Sequence, residues 1–475
     1  MAQEARTEFQ ALTQKAPTGG AGDASLSFLS LWAQADQAHA AVAEPNVDKY
    51  DRAERAGKTD KAATVAEVTA STDATDQSVP PPKTPLEEAR EHLKTLADGM
   101  VTSKTMKGRD RDRLNADMTT FETRAGQAGL TPDEIKTTYE NASRLIEFTG
   151  QGPIDQAARV KIAEQALHHA AYPNQIDQGR HDTCNVTTVE VRNFSRNPGA
   201  AIKMIADVAT TGSFVTADGT TIAIDAKSLK ADDESSRNPT PDGERSHASQ
   251  IFQITAANVY WQRRDTDPAG NFAPKGTLRF VQDASKRNHF SGDTGERLMA
   301  YYSNPPKELA ENPALSASAL KEIANQISGK TDDGFVIENK IKAGRNTVPV
   351  SSEKELRDSL AAVKQAGNFP AIIRVHTGNS PFLGDQGGGL SRSKGVWHVV
   401  CVTAYDETTG KVWIDNQWGR SSDHQMKVRD LYDATLEPKN NGWQMMHEST
   451  MPSLHMPGAK ARPSTLLPKD DLWLH

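Results

Sequence analysis

At 475 residues the chain has room for about three domains of ~150 residues each. Its hydrophobic share of 36% is low for a fully packed chain, so part of the length is expected to be disordered. A net charge of −7 and a pI near 6.0 exclude the basic stripe of a nucleic-acid binder, and no apolar run reaches the ~18 residues of a membrane span.

No cationic and then apolar leader opens the sequence, so the expectation is a soluble protein, cytoplasmic or exported by a non-Sec route. Residues 1–83 are rich in Ala, Thr, Asp, Gln and Gly and run into Pro80-Pro81-Pro82. They are expected to be a disordered region and a stiff linker. The one apolar patch there, Leu26 to Trp32, predicts a short fluctuating helix. From Thr84 the pattern turns helical. Thr84-Pro85-Leu86-Glu87 and Thr131-Pro132-Asp133-Glu134 are capping boxes with proline at the first helical position. Their apolar stripes are Leu86, Ala89, Leu93 and Leu96, then Ile135, Tyr139, Ala142, Leu145 and Ile146. A third helix is expected from about Asp155 to Ala170, so residues 84–171 predict a small helical domain. His168 and His169 fall at its C-terminal end, where imidazolium meets the helix dipole favourably, and no metal site is read from them.

The stretch Gln178-Gly179-Arg180-His181-Asp182-Thr183-Cys184 follows, with a helix expected from Cys184 to about Arg196. A cysteine at a helix start feels the unpaired N–H groups, which favour thiolate over thiol. Gln178, six positions upstream, supplies an amide that can donate to a developing oxyanion. Residues 200–348 read as a long insert. Within it Phe214 to Ile224 predicts a hairpin with Asp218-Gly219 at its turn. Residues 231–246 read as an exposed polar loop, and His247 to Trp261 as a buried helix. Asp265 to Gly270 resembles the start of a calcium loop, but Ala269 and Gly276 stand where ligands are needed, so it reads as a turn. Helices are expected around 306–328 and 352–366, the latter with Ser352 and Glu355 as a capping box and Gly367 just past its end.

Strands are expected over 369–376, 396–405 and 411–417, the last two as a hairpin around Asp406 to Gly410. The glycine-rich run 378–394 before them reads as a lid, a substrate-contacting rim or a plain connection. Period two puts His398 with Val400 and Val402, and Asn416 with Ile414 and Val412, so neighbouring strands can hold imidazole and carboxamide side by side. A closing strand and short helical turn are expected near Met426 to Tyr432, and residues 436–475 read as a surface tail. Of the two cysteines, Cys401 alternates away from His398 and reads as an inert core thiol. His181 is the rival base, but the chain between it and Cys184 is too tight for a triad.

The order Gln178, Cys184, His398, Asn416-Gln417-Trp418-Gly419 resembles the papain-like cysteine peptidases. The likeness covers roughly 172–200 and 350–435, and the long stretch between Cys184 and His398 reads as an insertion. It implies an α+β papain-like fold, a helical subdomain plus an antiparallel sheet subdomain, over 172–435. It also implies that Cys184 is the nucleophile, His398 the general acid/base, Asn416 its orienter and Gln178 an oxyanion-hole donor. Trp418 would shield the His–Asn hydrogen bond. The helical domain over 84–171 is then either a packing unit or a segment comparable to the pro-segments of that family. The implied activity is a thiol hydrolase acting on protein or peptide substrates without a cofactor or metal. Two other readings stay open: the same triad serving a deamidase or transglutaminase-like acyl transfer, and a non-catalytic binding module.

Overall fold

The computed structural model describes residues 82–288, 293–313, 315–331, 335–344, 346–382 and 395–438. The chain divides into two units at Thr84, and everything below concerns the unit from Pro85 onward. The expected N-terminal disordered region, the glycine-rich run at 383–394 and the tail from 439 lie outside the described residues. The unit is α+β. No helix among the described residues is long and apolar enough to cross a membrane.

Four helices open it: α1 (Pro85–Thr102), α2 (Gly108–Gln127), α3 (Pro132–Glu147) and α4 (Gln156–Ala171). Two of them start at side-chain caps. Thr131 caps α3 by accepting from the Glu134 N–H, and Asp155 caps α4 through the Ala158 N–H. Ala89, Leu93 and Ala97 of α1 are buried, and so are Leu114, Met118, Phe121 and Ala125 of α2. Phe121 meets Tyr139 of α3 edge to face, with centroids 5.9 Å apart.

The central helix, α5 (Cys184–Arg196), is buried on every side from Asn185 to Phe194. It packs against α6 (Pro198–Thr211), α7 (His247–Trp261), α8 (Ala317–Ser328) and the large sheet. Every residue of α7 is buried, which marks it as a second core helix. One continuous apolar cluster runs from Ala89 in α1 through Val186, Ile205 and Ile254 to Cys401. The helices of 85–171 therefore share a core with the helix that begins at Cys184.

The large sheet has six strands in the order β11-β10-β9-β8-β6-β7: β6 (Val336–Asn339), β7 (Val348–Val350), β8 (Ala371–His376), β9 (Trp397–Asp406), β10 (Lys411–Asp415) and β11 (His424–Lys427). The expectation of an antiparallel sheet holds only from β11 to β8. The β8–β6 and β6–β7 pairs are parallel. The reason is the connection from β7 to β8, which passes through α9 (Glu353–Gln365) and so returns in the same direction. Strand alternation splits the sheet between two cores. Ile372, Val399 and Cys401 face the helical body, whereas Ile373, Val375, Val400 and Val402 face α9 and α10 (Val428–Ala434).

Two smaller sheets complete the unit. The hairpin at Asp218-Gly219 forms as expected, from β1 (Ser213–Val215) and β2 (Thr221–Ala223). A three-stranded antiparallel sheet, β3 (Leu278–Gln282), β4 (Glu296–Ala300) and β5 (Lys307–Glu311), was not foreseen. The helix expected over 306–328 thus begins only at Ala317. Residues 307–311 are an edge strand whose charged side chains disguised it. The expected turn at Asp267 does form, with that carboxylate accepting from the Ala269 and Asn271 N–H groups.

Candidate active site

Three segments meet around the start of α5. The first is the loop Gln178 to Thr183, the second the start of α5, and the third the end of β10 with the residues beyond it. The Gln178 N–H donates to the Gln417 carbonyl at 2.9 Å, so the loop is stitched by main chain to the segment that carries Asn416 and Trp418. Gly419 lets that segment pass the 238–245 loop. Its φ is +102°, and a Cβ there would lie 3.0 Å from the Gly243 Cα.

His398 and Asn416 meet across the β9–β10 pair, Nε2 to Oδ1 at 2.9 Å. An amide oxygen accepts, so Nε2 carries the hydrogen and Nδ1 keeps the lone pair that a base needs. The Trp418 indole stacks on the imidazole at 4.1 Å and 19°, covering that bond. Asp415, one residue earlier, lies on the other face. It is wholly surrounded, and burial together with Asp423 and Asp177 pushes its carboxyl well above the usual carboxylate range. Burial also lowers the His398 imidazole to about 4, so the ring is neutral at physiological pH.

Cys184 is the first residue of α5 and is part-exposed. The main-chain N–H groups of Val399, the residue after His398, and of Asn185 and Cys184 lie near its sulfur and favour the thiolate. The thiol and the ring share no hydrogen bond in this state. The expectation of a thiolate stabilised by the helix start is overturned. Burial is the largest influence on the thiol, nearby Asp182 adds to it, and together they push it up to about 12. The helix start is present, but three N–H groups do not offset the lost hydration, so the resting group is a neutral thiol.

Gln178 is buried, and its Nε2 donates to the His181 carbonyl at 2.6 Å. One of its two amide hydrogens is therefore spent within the loop. Its Oε1 has no partner. His181, the rival base, points away from the thiol. Its ring bridges Glu296 (Nδ1 to Oε1, 2.5 Å) and Asp232 (Nε2 to Oδ2, 3.0 Å), and those carboxylates raise its pKa in spite of burial and the nearby Arg245 guanidinium. Cys401 is buried, donates to the Thr188 carbonyl at 3.7 Å, and is raised well above the usual thiol range by burial.

The sequence reading missed the support beneath the loop. Residues 231–246, expected to be an exposed loop, contribute Asp232, Glu234, Ser235 and Arg245 as buried side chains. Among the described residues no group of three His, Cys, Asp or Glu side chains could hold a metal ion. Compared with protein-family models, curated proteins and solved structures, the chain finds no match in any of the three.

Proposed function

We propose that the protein is a papain-like thiol hydrolase that cleaves peptide or isopeptide bonds through an acyl-enzyme on Cys184, and that its α+β core is a papain-like one. His398 is the general acid/base, Asn416 its orienter and Gln178 an oxyanion donor. The observation that carries this reading is the His398–Asn416 bond under Trp418, with Cys184 at the start of α5 feeling the main-chain N–H of Val399, the residue after His398.

A neutral thiol beside a neutral imidazole defines the order of events. As sulfur attacks the substrate carbonyl carbon, the S–C bond forms, the thiol proton passes to Nδ1 of His398, and the carbonyl oxygen takes the negative charge. The separation of ring and thiol in the empty site closes as substrate binds, as catalytic hydrogen bonds often do. Collapse breaks the C–N bond, and His398 returns its proton to the leaving amine. Water then attacks the thioester and gives a proton to His398. The C–S bond breaks, the acid leaves and the thiol is reprotonated. Asn416 keeps Nδ1 facing the sulfur throughout, because its oxygen holds the hydrogen on Nε2.

The test is covalent labelling. A thiol-directed epoxide should add once, to the peptide containing Cys184 and not to Cys401, and a peptide library should be cut. Cys184→Ala should abolish both. Cleavage that survives Cys184→Ala sinks the reading. An uncut library together with ammonia release from glutamine side chains would replace hydrolysis of peptides by deamidation at the same thiol.

A further inference from the structure

The oxyanion donor Gln178 does not reach its position through its own helix or strand. It is held by the next residues of its loop, and those residues are held by the insert. The Gln178 Nε2 donates to the main-chain carbonyl of His181. The His181 side chain is wholly buried, and each ring nitrogen faces a carboxylate, Glu296 on β4 and Asp232 in the 231–246 segment. Nδ1 donates to the Glu296 carboxylate, whereas Nε2 lies between the Asp232 carboxylate at 3.0 Å and the Arg245 guanidinium at 2.9 Å. The Arg245 guanidinium, also wholly buried, reaches Asp232 at 3.0 Å and Gln282 on β3 at 2.7 Å.

The rest of the loop is held by the same insert. The Arg180 N–H donates to both oxygens of the buried Glu234 carboxylate at 3.2 Å. Gly179 has φ +64°, and a Cβ there would fall 2.0 Å from a Glu234 oxygen. Only glycine lets the loop lie this close to the carboxylate. Thr183, just before the nucleophile, donates to the Gln253 side chain on α7 at 2.8 Å. Anchors at 180, 181 and 183 thus bracket the turn between Gln178 and Cys184.

We infer that the insert is a positioning element of the active site, and that His181 is a positioning residue which aims the Gln178 amide at the oxyanion by fixing the carbonyl that takes one of its two hydrogens. This rests on the acyl-transfer reading above. His181 takes no proton in the reaction, since His398 carries every transfer.

The experiment uses two probes on the full chain. p-Nitrophenyl acetate acylates the thiol through an oxyanion: the S–C bond forms, the ester C–O bond breaks, nitrophenolate leaves and the thiol proton goes to His398. Iodoacetamide alkylates the same sulfur with loss of iodide and forms no oxyanion. Gln178→Ala and His181→Gln should each slow acylation about 10²-fold, the worth of one oxyanion donor, and leave alkylation at the wild-type rate. The double variant should acylate no more slowly than Gln178→Ala, because His181 acts through that amide. Penalties that multiply overturn the inference, and so does wild-type acylation by a folded His181→Gln. Should His181→Gln fail to fold, Glu296→Ala carries the same test, since it removes the acceptor that holds Nδ1. It should lower acylation alone, by less, and an unchanged rate overturns the inference. Acylation that persists in Cys184→Ala defeats the thiol reading itself, an outcome distinct from every other.

Discussion

Cys184 receives two opposed influences. The start of α5 offers partial positive charge, worth about 0.3–1 kcal/mol at exposed sites and up to ~2 kcal/mol in partly buried ones. Burial removes hydration from a thiolate, and here it prevails, taking the thiol from 9.0 to about 12. His398 moves the other way, to about 4, because a buried imidazolium loses hydration too. The resting pair is therefore thiol and imidazole, not thiolate and imidazolium. The thiolate ultraviolet absorbance of the wild type minus that of Cys184→Ala should stay flat through neutral and mildly alkaline pH. A band already present at neutral pH would mean a preformed ion pair. The proposed acyl transfer needs the neutral ring, so the acid limb of acylation should fall as pH drops through about 4, well below the usual histidine range.

At the scale of elements, the start of β9 and the segment after β10 together make that low value possible. Trp418 lies flat on the ring, keeping water from both the imidazole and its bond to Asn416. Trp418→Ala should hydrate the ring, raise its pKa toward the ordinary 6.5, and move the acid limb upward by the same amount. A limb that stays near 4 would mean the indole is not what excludes water. These elements were legible in the sequence because their signals are local. Cys184–Arg196 starts at a cysteine and ends before Pro198, and Trp397–Asp406 carries the apolar run Val399 to Val402 of a strand buried on both faces. The support under the loop was not legible. Asp232, Glu234 and Arg245 look like solvent-seeking residues by type, and only pairing across the chain makes their burial tolerable. Helix α2 was missed for a related reason: Arg109 to Arg113 hide a stripe that starts at Leu114. The strand Lys307–Glu311 has no alternation to read, since neither of its faces is fully buried.

At the scale of the molecule the question is whether residues 85–171 are a detachable guard or part of the body. A pro-segment that covers a cleft can be removed and leaves a folded enzyme behind. These helices instead share one apolar core with α5, α6 and α7. Arg124 of α2 donates to the Phe194 and Ser195 carbonyls at the far end of α5, each at 3.0 Å. Arg144 of α3 pairs with Asp207 of α6, and Asn141 donates to the Gly199 carbonyl at 3.2 Å. Cutting at Tyr172 would strip apolar cover from α5 and leave those carbonyls without their donors. A chain starting at Tyr172 should therefore fail to fold. Phe121 tests the same coupling more gently. It is fully buried in α2 and lies far along the chain from Cys184, and Phe121→Ala should cost about 3–5 kcal/mol. If the unit is one body, that loss lowers a single thermal transition, followed alike by circular dichroism and by exposure of the buried Cys401 to a thiol reagent. If 85–171 fold apart from the rest, the variant should melt in two steps, with Cys401 protected through the first. One step is the expected result, because Phe121 and Cys401 belong to the same core.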